Sequence, residues 1–472
     1  MQLLSDKRLY GQSYPPDENS RSEFQKDYDR IVFSSAFRRL QDKTQVFPLS
    51  QTDFTRTRLT HTIEASAVAH TLGVLAAKHL SKERVKCDPL DVGTIVATAA
   101  LAHDLGNPPF GHSGESAIQA WAKRRLPTSH GGVDVVKATA RNRRQNAQSI
   151  TMRPEEVADF HLFEGNAQGF RILARTAART RKGGLRPTFA TLGAMTKYPR
   201  PSMIEGYTFG PGAISEKKPG YFQNEARMAI KAFRGLGMIE RKPGVFSRHP
   251  LAFLTEAADD ICYAVADIED GLKVGVVTFQ EVSDVLLPLA TADRGFSDKT
   301  YLDDLARLAR IRAAAVSVLV SECIGAFRDG LEEMETGVLD VSLLDRTSVS
   351  KKYRAIKNLA KEKVYSHERV LQIEYAGYQT LGGLLEMFFA ALCESGDGAK
   401  EEKLRKLFPI HFLKRPRNSS LAASENRDPA GFYLTLMTPY ERLLAVTDYV
   451  SGMTDRFAVQ QFQRLSGIRL PE

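Results

Sequence analysis

Apolar residues recur at intervals near 3.6 over residues 89–104, 112–125, 223–236, 251–273, 303–330 and 435–463, whereas period-two alternation is scarce. The pattern predicts an all-α protein whose core is built from amphipathic helices. Two stretches interrupt it. Residues 127–152, rich in glycine, polar residues and arginine, and residues 395–430, running from SGDGAKEEK through KRPRNSSLAASENRDP, read as surface excursions. Apolar helical segments continue on both sides of each, so neither reads as a linker between independent units, and no internal repeat is found. The proline- and glycine-rich stretch 201–222 predicts a loop leading into the helix at 223. Its Lys217 and Lys218 fit either a loop that closes on a ligand or a passive surface.

With 472 residues, 43% of them hydrophobic, the chain is long enough to bury a large core, and length alone permits two or three domains. The first thirty residues are polar and charged throughout, unlike a secretory signal or a transit peptide. The richest apolar stretch, YAGYQTLGGLLEMFFAALCESG, carries Glu386 and falls short of a membrane span. The expectation is a soluble, cytoplasmic protein. Cys87, Cys262, Cys323 and Cys393 are widely separated and form no CxxC pair, which argues against a zinc ribbon or a disulfide framework and for small core residues. A formal net charge of +9 favours anionic partners such as nucleotides or nucleic acid.

Candidate chemistry begins at LAHDLGNPPFGHSGES, residues 101–116, where His103 and Asp104 end an alanine-rich run just before His112 and Glu115. One His–Asp pair is more often an ordinary polar contact than a metal site, but distant segments offer further donors. RTRLTHTIEASAVAH places His61 at the start of a helical pattern, three residues after Arg58. HPLAFLTEAADDICYAVADIEDG predicts a helix with the apolar stripe Leu254, Ala258, Ile261, Val265, Ile268 and Leu272. Asp259, Tyr263 and Asp267 recur every four residues beside that stripe, in one row. The row fits a solvated acidic face or a cleft wall, and a tyrosine in its middle favours the wall. Asp260 points about 100° away from Asp259, so only one of the two belongs to a common ligand set.

The combination of His61, His103–Asp104, GNPPFGHSGE, FEGNAQGFRIL, TKYP and EAADDICYAVADIEDG resembles the bacterial deoxyguanosinetriphosphate triphosphohydrolase family of the HD-domain phosphohydrolase superfamily. The resemblance runs from FRRLQDKTQVFP near residue 37 to DYVSGMTDRFA at 448–458. It implies one large helical HD-type unit over 1–472, with a catalytic core at 37–275 and a helical C-terminal part at 276–472 that completes the pocket and makes oligomer contacts. It also implies one divalent cation per subunit, Mn²⁺ or Mg²⁺ or another first-row transition metal, held by His61, His103, Asp104 and Asp259; two imidazoles and two carboxylates suit a first-row transition metal such as manganese better than a pure magnesium site.

The activity implied is cleavage of dGTP, or of several deoxynucleoside triphosphates, to deoxynucleoside and inorganic tripolyphosphate. His112 and Glu115 would form the second catalytic element, with His112 as proton donor to the 5′ oxygen, or alternatively as the base or the positioner of water. The substrate set implied is Arg58 at the α-phosphate, Asn166, Lys197 and Tyr198 at the polyphosphate, Gln45 and Asp267 at the sugar 3′ hydroxyl with Val46 beside them, and Tyr263 against the deoxyribose. Glu374 would meet a guanine edge or merely cap a helix. A homo-oligomer, a hexamer in particular, an allosteric nucleotide and single-stranded DNA are further partners the resemblance implies.

Two other readings compete. Another HD-type nucleotide phosphohydrolase would lack the sugar and triphosphate signatures at Gln45, Arg58, Lys197 and Tyr263. A nucleotide-sensing or single-stranded nucleic-acid-binding HD protein with weak hydrolysis would use basic stretches such as ARNRRQNAQ at 140–148 and KRPRN at 414–418, although such runs are usually solvated loops.

Overall fold

A computed structural model describes residues 2–11, 21–47, 55–80, 87–127, 133–134, 151–176, 184–209, 213–298, 303–394, 398–413 and 429–469. The described residues are overwhelmingly helical, and their only strands are two short antiparallel pairs, Val133–Asp134 with Thr151–Met152 and Glu240–Lys242 with Val245–Phe246. The basic stretches 140–148 and 414–418 lie outside the described residues.

Helices form where the apolar period predicts them, with local sequence setting their ends. Asp88 caps Pro89–Ala102 by accepting from the Leu90 amide, with proline at the first helical position. Pro250–Lys273 likewise starts on proline, and its stripe residues Leu254, Ala258, Ile261, Val265 and Ile268 are buried. The 435–463 pattern is not one helix but parts of three, Pro429–Thr435, Pro439–Ser451 and Asp455–Leu465. Thr438 and Glu441 make a capping box ahead of Pro439, and Thr454 caps the next helix after Gly452, so the apolar period runs across two breaks. The 395–430 stretch likewise departs from the expected excursion, because Ala399–Leu407 is helical with Leu404 buried.

Two clusters of buried apolar residues organise the molecule. The first joins residues 3–105 to 170–370 and centres on Arg58–Leu80, Pro89–Ala102, Pro250–Lys273 and Asp304–Asp329. The second packs Gly111–Arg125 and residues 152–167 against Glu368–Leu392 and Pro439–Ser451. Residues from both sides of position 275 enter each cluster. A buried ion-pair network ties the two together: Arg171 Nε and Nη2 donate to the two oxygens of Asp448, each at 2.8 Å, and Nη1 donates to Glu225 at 2.7 Å. The planar guanidinium fixes direction as well as distance, so the 165–171 helix is set against the C-terminal bundle. Cys262, Cys323 and Cys393 are buried free thiols and Cys87 is half-buried. Among the described residues no helix is long and apolar enough to cross a membrane.

Candidate active site

Helices from both clusters converge on one cavity of about 470 Å³. Val46, Met195 and Val370 of the first cluster side and Phe110 of the second stand on its walls. So do His61, His103, Asp104 and Asp259, although 198 residues separate His61 from Asp259.

His61, Asp259 and His103 present ligand atoms that all lie within 4.8 Å of one another. Asp259 Oδ1 is 3.0 Å from His61 Nε2 and 3.4 Å from His103 Nε2. His103 Nδ1 lies 2.6 Å from the Ala100 carbonyl and donates to it, which fixes the ring orientation and turns Nε2 towards Asp259. His61 is fully buried, and its Nδ1 has no hydrogen-bond partner among the described residues. Burial works to lower the proton affinity of His103, but Asp104 and Asp259 outweigh it and lift the pKa to about 9. Two imidazoles and a carboxylate facing one point, with the charge of a second carboxylate adjacent, form a donor set that suits a divalent cation.

Asp104 stands beside this group rather than within it. Its Oδ1 lies 3.4 Å from His103 Nε2 and accepts from Asn107 Nδ2 at 2.5 Å, while Oδ2 accepts from Arg58 at 2.7 Å. Despite burial, the Arg58 guanidinium and the two histidines hold its carboxyl down at about 2. Of the neighbouring acids, Asp259 and not Asp260 joins the group.

The loop carrying His103, Asp104 and Asn107 is held by close packing. A Cβ on Gly106 would come within 2.0 Å of the Gly165 carbonyl oxygen and 2.2 Å of the Gly169 nitrogen, so only glycine lets the loop lie on the 165–171 helix. The turn into Gly111–Arg125 puts Phe110 in the left-handed region, φ 63°, with Gly111 following at φ 57°. Asp455, at the start of the last helix, secures that turn by accepting from the Phe110 amide at 3.1 Å and the Thr44 amide at 3.0 Å. Lys43 bridges the same elements by donating to the Asn107 and Ser451 carbonyls.

His112 is exposed to the cavity, with Nδ1 3.0 Å from Glu115 Oε2, as the i, i+3 spacing expects. Glu115 is buried, and its Oε1 accepts from the Gly165 amide at 2.8 Å. The hydrogen bond to Glu115 raises the His112 pKa, opposed by burial and by the charges of Lys218 and Arg58.

The remaining predicted residues divide. Gln45, Val46, Arg58, Asn166, Lys197, Tyr198, Tyr263 and Glu374 all line the cavity. Asp267 does not: it is fully buried, and its Oδ2 accepts from Tyr365 Oη at 2.5 Å while Oδ1 has no partner among the described residues. Tyr365 stacks on Tyr263 with ring centroids 5.9 Å apart, so the tyrosine pair stands on the wall and Asp267 supports it. Burial pushes the Asp267 carboxyl up to about 8.

Several wall residues escape sequence reasoning. Lys197 pairs with Glu256 at 3.1 Å, and Glu256 is in turn held by fully buried Arg248 at 2.5 Å. Lys218 pairs with Glu164 at 2.8 Å. Asn107, Glu164 and Glu256 sit inside the recognised motifs, one or a few residues from predicted positions, and that adjacency is the signal that could have found them. Tyr365 and Val370 carry no such signal.

A family profile described as a phosphohydrolase-associated domain matches residues 431–464, the segment that contains Asp448 and Asp455. A deoxyguanosinetriphosphate triphosphohydrolase-like protein of Synechocystis is 39% identical over 99% of both chains. One of Pseudomonas aeruginosa is 36% identical, again over 99% of both. A deoxyguanosinetriphosphate triphosphohydrolase of Salmonella typhimurium is 32% identical over 94% of both.

Proposed function

The chain belongs to the deoxyguanosinetriphosphate triphosphohydrolase family, and we propose that it is a metal-dependent enzyme cleaving dGTP and related deoxynucleoside triphosphates to deoxynucleoside and inorganic tripolyphosphate. The observation that carries this reading is the meeting of His61, His103 and Asp259 in one cavity that is also lined by Arg58, Lys197, Lys217, Lys218 and His112, the last paired with buried Glu115 behind it.

His61, His103 and Asp259 would hold the ion, with Asp104 joining from its position 3.4 Å from His103. A divalent ion bound there supplies Lewis acidity to a phosphate oxygen. Manganese is the assigned ion on the chemistry of the donors, with magnesium as the substitute. Arg58 offers its guanidinium to the α-phosphate, and the lysines, with Asn166 and Tyr198, receive the remaining charge. Lys197 stays charged because Glu256 outweighs the cost of its burial. The Tyr263–Tyr365 pair packs against the sugar and crowds a 2′ hydroxyl, while Gln45 offers a buried Oε1 that has no partner among the described residues. Glu374, on the cavity wall, would meet the base edge.

His112 would hold a proton on Nε2, with Glu115 fixing the ring through Nδ1, and give it to the 5′ oxygen as that oxygen leaves the α-phosphorus and a water oxygen bonds there, the water's proton passing to solvent. The hydrogen bond to Glu115 raises the proton affinity of His112 and so favours the donor form.

The test incubates purified chain with each deoxynucleoside triphosphate and Mn²⁺ or Mg²⁺, resolving the phosphate products. Tripolyphosphate is expected, and pyrophosphate or orthophosphate as the first product overturns the reading. His112→Ala should lower turnover by roughly 10²–10⁴-fold. Single-stranded DNA and a second nucleotide, added to the same assay, read the regulatory partners that the family suggests, and sedimentation of the full chain reads the oligomer.

A further inference from the structure

The lysine on the 201–222 loop is held by two carboxylates of unequal standing. Lys218 Nζ lies 2.8 Å from Glu164 Oε2 and 3.6 Å from Glu115 Oε2. The latter oxygen is the one paired with His112 Nδ1 at 3.0 Å. Lys218 and His112 therefore compete for a single carboxylate oxygen, and Glu164 draws the lysine away. Glu164 is 2% exposed, its Oε1 accepts from Asn166 Nδ2 at 2.8 Å, and no step of the proposed reaction uses it. The neighbouring Gly165 amide fixes the other oxygen of Glu115, so residues 164–166 set both carboxylates relative to each other.

We propose that Glu164 is a positioning residue: by binding Lys218 it keeps that lysine off Glu115, and so leaves Glu115 free to hold the proton on His112. This inference rests on the role proposed for His112.

The groups whose charge acts on His112 are Glu115 on its own helix, Arg58 from Arg58–Leu80 and Lys218 from the loop, and the same cavity is lined by the acids Asp104, Glu164, Glu256, Asp259 and Glu374 and by the cations Lys197 and Lys217. Among the described residues, Lys218 and His112 are the basic groups within 4.0 Å of Glu115. The opposing influences of Glu115, which raises the proton affinity of His112, and of Lys218, which lowers it, agree with the geometry.

Neutralising Glu164 releases Lys218 to Glu115, displaces His112 from its partner, and lowers the pKa of His112. Removing Lys218 does the reverse. The experiment follows His112 by NMR titration of selectively labelled histidine in the full chain, with His112→Ala for assignment, and records kcat against pH in parallel. Glu164→Gln should shift the His112 titration and the falling alkaline limb of kcat downward by about one unit. Lys218→Met should shift both upward, and the double variant should match Lys218→Met, because Glu164 acts only through that lysine; simple loss of packing does not produce that pattern.

An unmoved His112 titration in both variants, or shifts of the same sign, would overturn the proposal. If Glu164→Gln fails to fold, Glu164→Asp, which keeps the charge but draws it back from Lys218, takes its place: a downward shift supports the proposal and no shift overturns it. The titration needs no turnover. Opposite shifts in a protein that releases no tripolyphosphate would sink the assigned reaction and leave the electrostatic arrangement standing.

Discussion

Gly106→Ala tests whether the metal-facing loop depends on backbone contact with the 165–171 helix. The added Cβ would sit 2.0 Å from the Gly165 oxygen and 2.2 Å from the Gly169 nitrogen, where ordinary contact begins at 3.4 Å. The shortfall is about 1.4 Å, and both opposing atoms are backbone, so no rotamer change relieves it. The loop and the helix must move apart, at a cost at the upper end of overpacking, about 3 kcal/mol. At roughly 2.1 cal/mol/K per residue, a chain of this length has an unfolding entropy of about 1 kcal/mol/K, so the melting temperature should fall by about 3 °C.

The displacement also reaches the chemistry, because Asn107 holds Asp104 and Gly165 holds Glu115. Turnover should fall more steeply than stability. Gly325→Ala is the control: it lies inside Asp304–Asp329 with nothing within 4 Å of the added Cβ, and should stabilise by about 1 kcal/mol through helix propensity. Thermal melts and tripolyphosphate release on both variants give the answer. A Gly106→Ala protein that melts at or above wild type would refute the reasoning, as would equal losses in the two variants.

Three further outcomes follow from the same geometry. Asp259→Ala removes the carboxylate shared by His61 and His103, so the melting-temperature rise on adding Mn²⁺ should disappear and metal affinity should fall by at least about 100-fold; an unchanged Mn²⁺ response would refute the ligand assignment. Asp455→Ala leaves the Thr44 and Phe110 amides without their acceptor, at about 2–4 kcal/mol, and kcat/KM should drop with the melting temperature; loss of neither would mean the last helix does not hold the turn. Asp267 keeps its proton in the folded state up to about pH 8, whereas an unfolded aspartate ionises near 4. Its contribution to stability is therefore complete below about pH 4 and is lost as pH rises through 8. Asp267→Asn keeps an acceptor for Tyr365 and should gain on wild type in denaturant melts between pH 5 and pH 8; a constant difference across that range would contradict it.

The apolar period located Pro89–Ala102, Gly111–Arg125, Pro250–Lys273 and Asp304–Asp329 to within a residue or two, because burying one face of a helix constrains residues that are neighbours in sequence. It failed at 435–463, where the hydrophobic period survives the breaks at Pro439 and Gly452 and capping alone marks the ends. The residue types around the cavity were legible too: His61, His103 and Asp259 meet, and His112 reaches Glu115 across one helical turn.

Which side chains face the cavity and which only support it was decided by tertiary packing. Asp259, Tyr263 and Asp267 share one helical row, yet Tyr365, 98 residues from Asp267, covers it and turns it into a buried brace. Asp104 is drawn aside by Arg58 and Asn107, and Lys218 is shared between Glu164 and Glu115. Local spacing orients a side chain about its own helix axis, but the partner that meets it there comes from another part of the chain, and helical periodicity holds no information about that partner.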